Sequence, residues 1–254
     1  MAADLSRYGT QMLFKPLGES GQARVLAGRV CVIGLGALGS GAADILARAG
    51  VGHLRLVDRD SVETGDLQRQ LLYEERDAGA PKADAALRRL RGVNSGIRIE
   101  AENADVSRSN VERILSGMHV VVDGTDNFET RFLINDACLK LRIPWVYGGC
   151  AGSCGTVAVF RPGKGPCLRC VLDAPPPKEF SPTCHTVGLL ASASAAVSAW
   201  EAVEALKMLS GRDEAVLQGL HSFDVWTRQW HPAATTRRPD CPACVQGRYD
   251  YLTG

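Results

Sequence analysis

Four cysteines stand in two identically spaced pairs, Cys167-x-x-Cys170 and Cys241-x-x-Cys244. Two sulfurs three positions apart on a tight knuckle can face one tetrahedral ion, and two knuckles complete a closed four-sulfur site. A closed set leaves no position for substrate, so the chemistry it suits is structural Zn²⁺ binding. The long stretch between the knuckles means that such a site would clip the tail back onto the body of the chain. Neither pair opens a helix after a strand, which argues against a thioredoxin-like redox role. The chain has nine cysteines in all and begins without a basic-then-apolar signal pattern, so a disulfide framework is disfavoured and a reducing cytoplasm is the expected compartment.

A second group of residues points to nucleotide chemistry. The run Val30-Cys31-Val32-Ile33 ends in Gly34-x-Gly36-x-x-Gly39 and passes into a small-residue helical pattern. That is a strand turning into a helix, with glycines that let the backbone approach a phosphate and a helix N-terminus that offers N–H groups to it. Alone the motif favours a dinucleotide. Asp58, just past the second strand, is placed to hold ribose hydroxyls. Arg69 and Lys82 follow on the next segment, and Asp123 and Asp126 follow a later strand. Two cations and a carboxylate near the glycine turn suit a triphosphate with Mg²⁺, the cations taking developing negative charge and the carboxylate serving the metal. Cys184, on an irregular loop just before a helix, is a candidate nucleophile. Cys31 and Cys138 read as core.

The elements that must position these residues alternate. Strands are expected over 29–33, 53–57, 97–101, 120–122 and 145–147, with helices over 37–49, 81–91, 106–115 and 127–141 between them. This order indicates a doubly wound, mostly parallel α/β sheet of the Rossmann-like kind. Residues 1–28 form a helical arm, 29–150 a nucleotide-binding core, and 151–254 the knuckles, a proline-rich loop, a long helix over 187–209 and two antiparallel strands near 216–223 and 225–231. The whole is expected to be one domain. A net charge of +1 over 254 residues gives no electrostatic case for nucleic acid or an anionic membrane, and no apolar run reaches the roughly 20 residues of a membrane span.

Taken together the motifs resemble the ThiF/MoeB/HesA family, bacterial relatives of ubiquitin-activating enzymes. The resemblance runs over about residues 7–244 and rests on Arg7-Tyr8-x-x-Gln11, the glycine turn, Asp58-x-Asp60, Leu67-Gln68-Arg69-Gln70, Pro81-Lys82, Thr125-Asp126-Asn127, both cysteine pairs and Thr183-Cys184. It implies a homodimer that binds ATP with Mg²⁺ and adenylates the C-terminal glycine of a ubiquitin-like sulfur carrier ending in Gly-Gly, priming it for thiocarboxylate formation. It further implies that Gly34, Gly36 and Gly39 hold phosphate and Asp58 the ribose. Arg69 and Lys82 would contact the triphosphate, Asp126 would serve Mg²⁺ and the adenylation step, and Asp60, Gln70 and Asn127 would line the nucleotide. The four cysteines would bind Zn²⁺, and Cys184 would match a cysteine that can link covalently to the carrier. A cysteine desulfurase or rhodanese is the implied sulfur donor. Two positions depart from the pattern: Thr10 stands where many members have a second arginine, and Asp66 where asparagine is usual.

Two other readings fit parts of the sequence. An NAD(P)-dependent oxidoreductase accounts for the glycine turn and Asp58 but leaves Arg69, Lys82 and Asp126 idle. A non-catalytic adaptor for a ubiquitin-like partner is hinted at by Thr10 and Asp66.

Overall fold

The computed structural model describes residues 5–177 and 184–253, with the main chain only at Cys184 and His185. The strands are β1 (Arg29–Ile33), β2 (His53–Asp58), β3 (Arg98–Asn103), β4 (Val120–Asp123), β5 (Trp145–Ala151), β6 (Cys154–Phe160), β7 (Leu220–Asp224) and β8 (Gln229–Ala233). They form one sheet in the order β3-β2-β1-β4-β5-β6-β7-β8. Pairing is parallel from β3 through β5 and antiparallel from β5 through β8. Successive strands run outward on one side of β1 and then, from β4, on the other. The carboxyl ends of β1 and β4 therefore flank the point where strand order reverses, the crevice in which open α/β sheets bind ligands.

The helices are α1 (Gly9–Met12), α2 (Gly18–Leu26), α3 (Gly39–Ala49), α4 (Lys82–Val93), α5 (Val111–Leu115), α6 (Phe128–Leu141), α7 (Leu168–Val171), α8 (Cys184–Val187), α9 (Ala191–Ser210) and α10 (Asp250–Thr253). Because strand side chains alternate between faces, Val30 and Val32 enter one apolar layer, with residues of α3, α4 and α9, while Cys31 and Ile33 enter the other, with α5 and α6. Both faces of the parallel half are covered, which is why β1 and β4 read as continuous apolar runs.

Several boundaries differ from the sequence expectations for local reasons. The helix expected over 106–115 shortens to α5, because the Asn110 side chain accepts from the Ser107 N–H and holds the preceding residues in a turn. The helix expected from Val187 begins at Ala191. Gly188 adopts φ +76°, its carbonyl accepts from the Gly152 N–H, and the Leu190 N–H donates to the Gly152 carbonyl, so this segment pairs with the β5–β6 turn. Gly219, at φ +81°, delays β7 to Leu220. The Asp224 carboxylate accepts from the Trp226 and Thr227 N–H groups and makes a turn where the second strand was expected to start. In the arm, Tyr8 is buried and accepts from Asn94 Nδ2 at 2.9 Å, so the arm docks on its own sheet layer. Leu13 and Phe14 stay exposed.

Candidate nucleotide site and cysteine cluster

The glycine turn divides its work among its members. A side chain on Gly34, which has φ +80°, would meet the Gly124 backbone at 2.7 Å, and one on Gly39 would meet the Gly34 carbonyl oxygen at 1.8 Å. These two glycines let the ends of β1 and β4 close against each other and against the start of α3. Gly36 is different: its nearest neighbour would be Gln70 Nε2 at 3.9 Å. Open space beside Gly36 is what a close approach of phosphate to backbone requires. No side chain caps the N-terminus of α3, so its leading N–H groups are not taken up by a capping side chain.

Asp58 ends β2 and braces this turn. One carboxylate oxygen accepts from the Leu35 N–H at 2.6 Å and the other from the Asp60 N–H at 2.7 Å. Burial nonetheless pushes its carboxyl above the ordinary value, against the pull of those two bonds. Each carboxylate oxygen has a second lone pair, so the backbone bonds leave acceptor capacity for ribose hydroxyls. Tyr73, whose hydroxyl donates to the Leu35 carbonyl at 2.9 Å, holds the turn from the other side.

Arg69 and Lys82 come together on Asp66. Lys82 Nζ lies 3.4 Å from one Asp66 oxygen and 3.7 Å from Asp60, and Arg69 Nη2 lies 3.4 Å from the other Asp66 oxygen. Gln70 Nε2 donates to that second oxygen at 2.6 Å, and the Glu63 N–H donates to the first at 3.1 Å. The Lys82 side chain is only 8% exposed. The residue that departs from the family pattern is thus the counter-charge that lets two cations sit here. Gln70 Oε1 is buried without a hydrogen-bond partner among the described residues, and the Nε2 of the same amide faces the space beside Gly36. An open glycine beside two cations held on one carboxylate, Lys82 buried and Arg69 partly so, fits a phosphorylated ligand.

Asp126 is exposed on the loop between β4 and α6, with Asn127 Nδ2 at 3.4 Å. Asn127 itself caps α6, its side-chain oxygen accepting from the Thr130 N–H at 2.8 Å. Asp123, in contrast, is fully buried and faces Arg131, whose Nε donates to it at 3.0 Å. Arg131 also donates to the Thr125 and Gly148 carbonyls at 2.7 and 2.8 Å and stacks over Phe128 and Tyr147. It ties the end of β4 to the middle of β5. Sequence reasoning grouped Asp123 with the nucleotide charges and overlooked Arg131. The available signal was an arginine beside the apolar run Phe132-Leu133-Ile134, which needs a buried anion.

Glu201 on α9 is fully buried, neither carboxylate oxygen has a hydrogen-bond partner among the described residues, and a side chain on Gly148 would meet its Oε1 at 2.4 Å. Burial, with Asp123 adding to it, pushes this carboxyl well above the ordinary range. Its neighbour Glu204 is equally buried but accepts from Lys207 at 2.6 Å and from the Leu217 N–H at 2.8 Å.

The four knuckle cysteines converge. Their sulfurs all lie within 4.8 Å of one another, with contacts of 3.9 Å between Cys167 and Cys170, 3.6 Å between Cys167 and Cys241, and 3.5 Å between Cys170 and Cys244. A disulfide would need about 2.05 Å. Four thiolates at about 2.3 Å from a tetrahedral zinc stand roughly 3.8 Å apart, so the set fits a zinc ion. Burial and then the neighbouring sulfurs hold the Cys167 thiol above its ordinary value, and Cys244 is pushed up to about 11 by burial and its bond with Cys170. A dication would relieve both effects. Asn135 Oδ1 accepts from the Leu168 N–H at 2.9 Å, and Arg169 pairs with Asp250 at 2.8 Å, which joins the cluster to α6 and α10. Cys31 and Cys138 are fully buried, as the sequence led us to expect. The Cys184 side chain lies outside the described residues.

The fold and site define a nucleotide-binding α/β protein with its ligand crevice at the strand-order reversal and its C-terminal segment gathered by four cysteines. Residues 8–243 match the ThiF family, and the chain belongs to that family. It is 42% identical over 252 residues to the sulfur carrier protein ThiS adenylyltransferase of Bacillus subtilis, covering 97% of this chain and 74% of that protein. It is 38% identical over 251 residues to the SAMP-activating enzyme E1 of Haloferax volcanii, covering 99% and 93% respectively. Among solved structures, E. coli MccB with ATP superposes with a TM-score of 0.83 at 21% identity, covering 94% of this chain and 74% of that one. At that identity the likeness speaks for the fold.

Proposed function

We propose that this protein activates the C-terminal glycine carboxylate of a ubiquitin-like sulfur carrier by ATP-dependent adenylation, preparing it for thiocarboxylate formation. The observation that carries this reading is Arg69 and Lys82 gathered on Asp66 beside an open glycine turn, in a chain whose relatives along nearly its full length are named as carrier adenylyltransferases. An NAD(P) oxidoreductase would leave that pair without a role.

The carrier's carboxylate is ionised at neutral pH, with an ordinary value of about 3.3–3.7, so no general base is needed. Its oxygen attacks the α-phosphorus of ATP, the bond from that phosphorus to the bridging oxygen breaks, and pyrophosphate leaves with the electron pair. Arg69 and Lys82 turn from Asp66 to the charge growing on pyrophosphate, the interaction that raises rate rather than mere binding. Gly36 accepts close contact with phosphate, Asp58 and Gln70 Oε1 take hydroxyl groups of the nucleotide, and Asp60 and Asn127 line the site. Asp126 is the exposed carboxylate for Mg²⁺, which when bound shields phosphate charge. Zn²⁺ held by Cys167, Cys170, Cys241 and Cys244 would fix the tail and take no part in the chemistry.

Cys184 belongs to a later sulfur-transfer step with a cysteine desulfurase or rhodanese as donor. A cytoplasmic homodimer completes the reading, supported by the exposed Leu13 and Phe14 on the arm. No helix among the described residues is long and apolar enough to cross a membrane. Carrier-dependent ATP–pyrophosphate exchange tests the proposal, with Asp126→Ala as control. Exchange with a Gly-Gly-tailed carrier, lost in the variant, is expected. Carrier binding with no exchange for any such carrier would leave the adaptor reading instead.

A further inference from the structure

A cleft of about 470 Å³ opens at the end of the sheet opposite the glycine turn. It lies beneath the amino-terminal ends of β4 and β5, where the chain leaves α2, α6 and α9. Ala27, Pro144 and Met208 supply apolar lining over the buried Val120 and Leu209, and Arg24, Arg142, Arg161 and Lys164 line the cleft with Asp213. Four permanent cations thus face one carboxylate.

Helix ends explain two of the four. Arg24 lies in the last turn of α2 and its Nε donates to the Ser210 carbonyl at 2.8 Å, and Arg142 directly follows α6. Both positions favour cations through the helix dipole. Arg161 and Lys164 have no such reason. They sit on the Arg161-Pro162-Gly163-Lys164 turn after β6 and share Asp213, to which Lys164 is paired directly. Arg161 is only 15% exposed, lies 4.0 Å from the Asp213 carboxylate, and donates to the Asp213 carbonyl at 3.2 Å. The rest of its five N–H donors have no hydrogen-bond partner among the described residues, and neither does the Arg142 side chain. A half-buried guanidinium with most of its fork unused, above an apolar floor, is built to receive a planar or tetrahedral anion.

We infer that this cleft is a second ligand site, separate from the nucleotide crevice, for a small phosphate ester whose apolar portion rests on Pro144 and Met208 while Arg142, Arg161 and Lys164 hold the phosphate. Its volume falls within the range of small-molecule sites, roughly 300–1,000 Å³. The apolar floor distinguishes such a ligand from inorganic phosphate, and the absence of Arg69 and Lys82 from the lining distinguishes the cleft from the adenylation site.

Calorimetric titration of the full chain with phenyl phosphate tests this, with no dependence on the adenylation reading. One molecule is expected to bind per chain, about tenfold more tightly than inorganic phosphate. Arg142→Glu, at an exposed position, and Arg161→Gln should each weaken binding about tenfold or more, whereas Arg69→Ala should leave it within about twofold. The Arg142→Glu protein should melt within a few degrees of wild type, the reversed charge at the end of α6 accounting for the difference, and should retain wild-type pyrophosphate exchange. Binding that disappears with Arg69→Ala and survives Arg142→Glu would place the probe in the nucleotide crevice and overturn the inference. So would no binding of phenyl phosphate at millimolar concentration.

Discussion

Two carboxylate–cation groups flank the same crevice and are finished to different degrees. At Asp123 and Arg131 everything is taken up: Arg131 Nε is 3.0 Å from Asp123, the Thr125 N–H and hydroxyl use the other carboxylate oxygen, and the guanidinium spends its remaining reach on two carbonyls and two rings. At Asp66 the ion pairs stand at 3.4 Å, one carboxylate is shared by two cations, and the adjoining Gln70 oxygen has no partner. The first group costs too much to disturb and serves the fold. The second leaves its cations free to exchange partner, which is what the proposed adenylation asks of them. Buried charge by itself marks neither role; how completely it is satisfied separates them.

Breaking the finished group should have the largest effect. Arg131→Leu strands a buried carboxylate and should lower stability by about 3–5 kcal/mol, a fall of about 10 °C in Tm at this chain length, measured by thermal unfolding. Breaking the unfinished group should leave the fold in place and remove activity. Lys82→Ala or Arg69→Ala should reduce pyrophosphate exchange by about 100-fold or more, the loss typical of a group that stabilises transition-state charge, with Tm within a few degrees of wild type.

Glu201 sharpens the contrast, since it is buried with no hydrogen-bond partner among the described residues. Its folded-state value lies above the unfolded one, so the folded protein keeps a proton that the unfolded chain releases. Stability is therefore greatest below the ordinary glutamate value of about 4.3 and declines as pH rises toward the folded value, by up to about 1.4 kcal/mol per unit from this group. Glu201→Gln should flatten that decline, so its Tm advantage over wild type should grow with pH across the window. A parallel pH profile in the two proteins would contradict this. The smallest effect belongs to Asp66→Asn. Removing the counter-charge should lower the KM for ATP by about fivefold, near 1 kcal/mol, because Arg69 and Lys82 no longer have to leave a carboxylate.

The parallel half of the sheet was legible because its signals are local. Continuous apolar runs, a glycine turn and alternating helices name β1, α3 and β2 within a few residues, and paired spacing brought the four cysteines together over a long stretch of chain. What the sequence concealed depends on partners far along it. Nothing near Val187 announces that Gly188 pairs with Gly152, so the start of α9 was placed too early. Asp123 and Asp126 stand three residues apart and look alike as letters, yet one meets Arg131 in the core and the other meets solvent. Asp66 was visible as a departure from the family pattern, but its position between Lys82 and Arg69 is a tertiary fact.

The central claim is that the Asp66-held cations serve transfer of the adenylyl group of ATP to a carrier carboxylate. It is tested most directly by carrier-dependent ATP–pyrophosphate exchange in the wild-type protein and in Lys82→Ala, with Tm measured on the same samples. The account predicts exchange in the wild type and a loss of about 100-fold in a variant that melts within a few degrees of it. Exchange undiminished in a folded Lys82→Ala protein would contradict it.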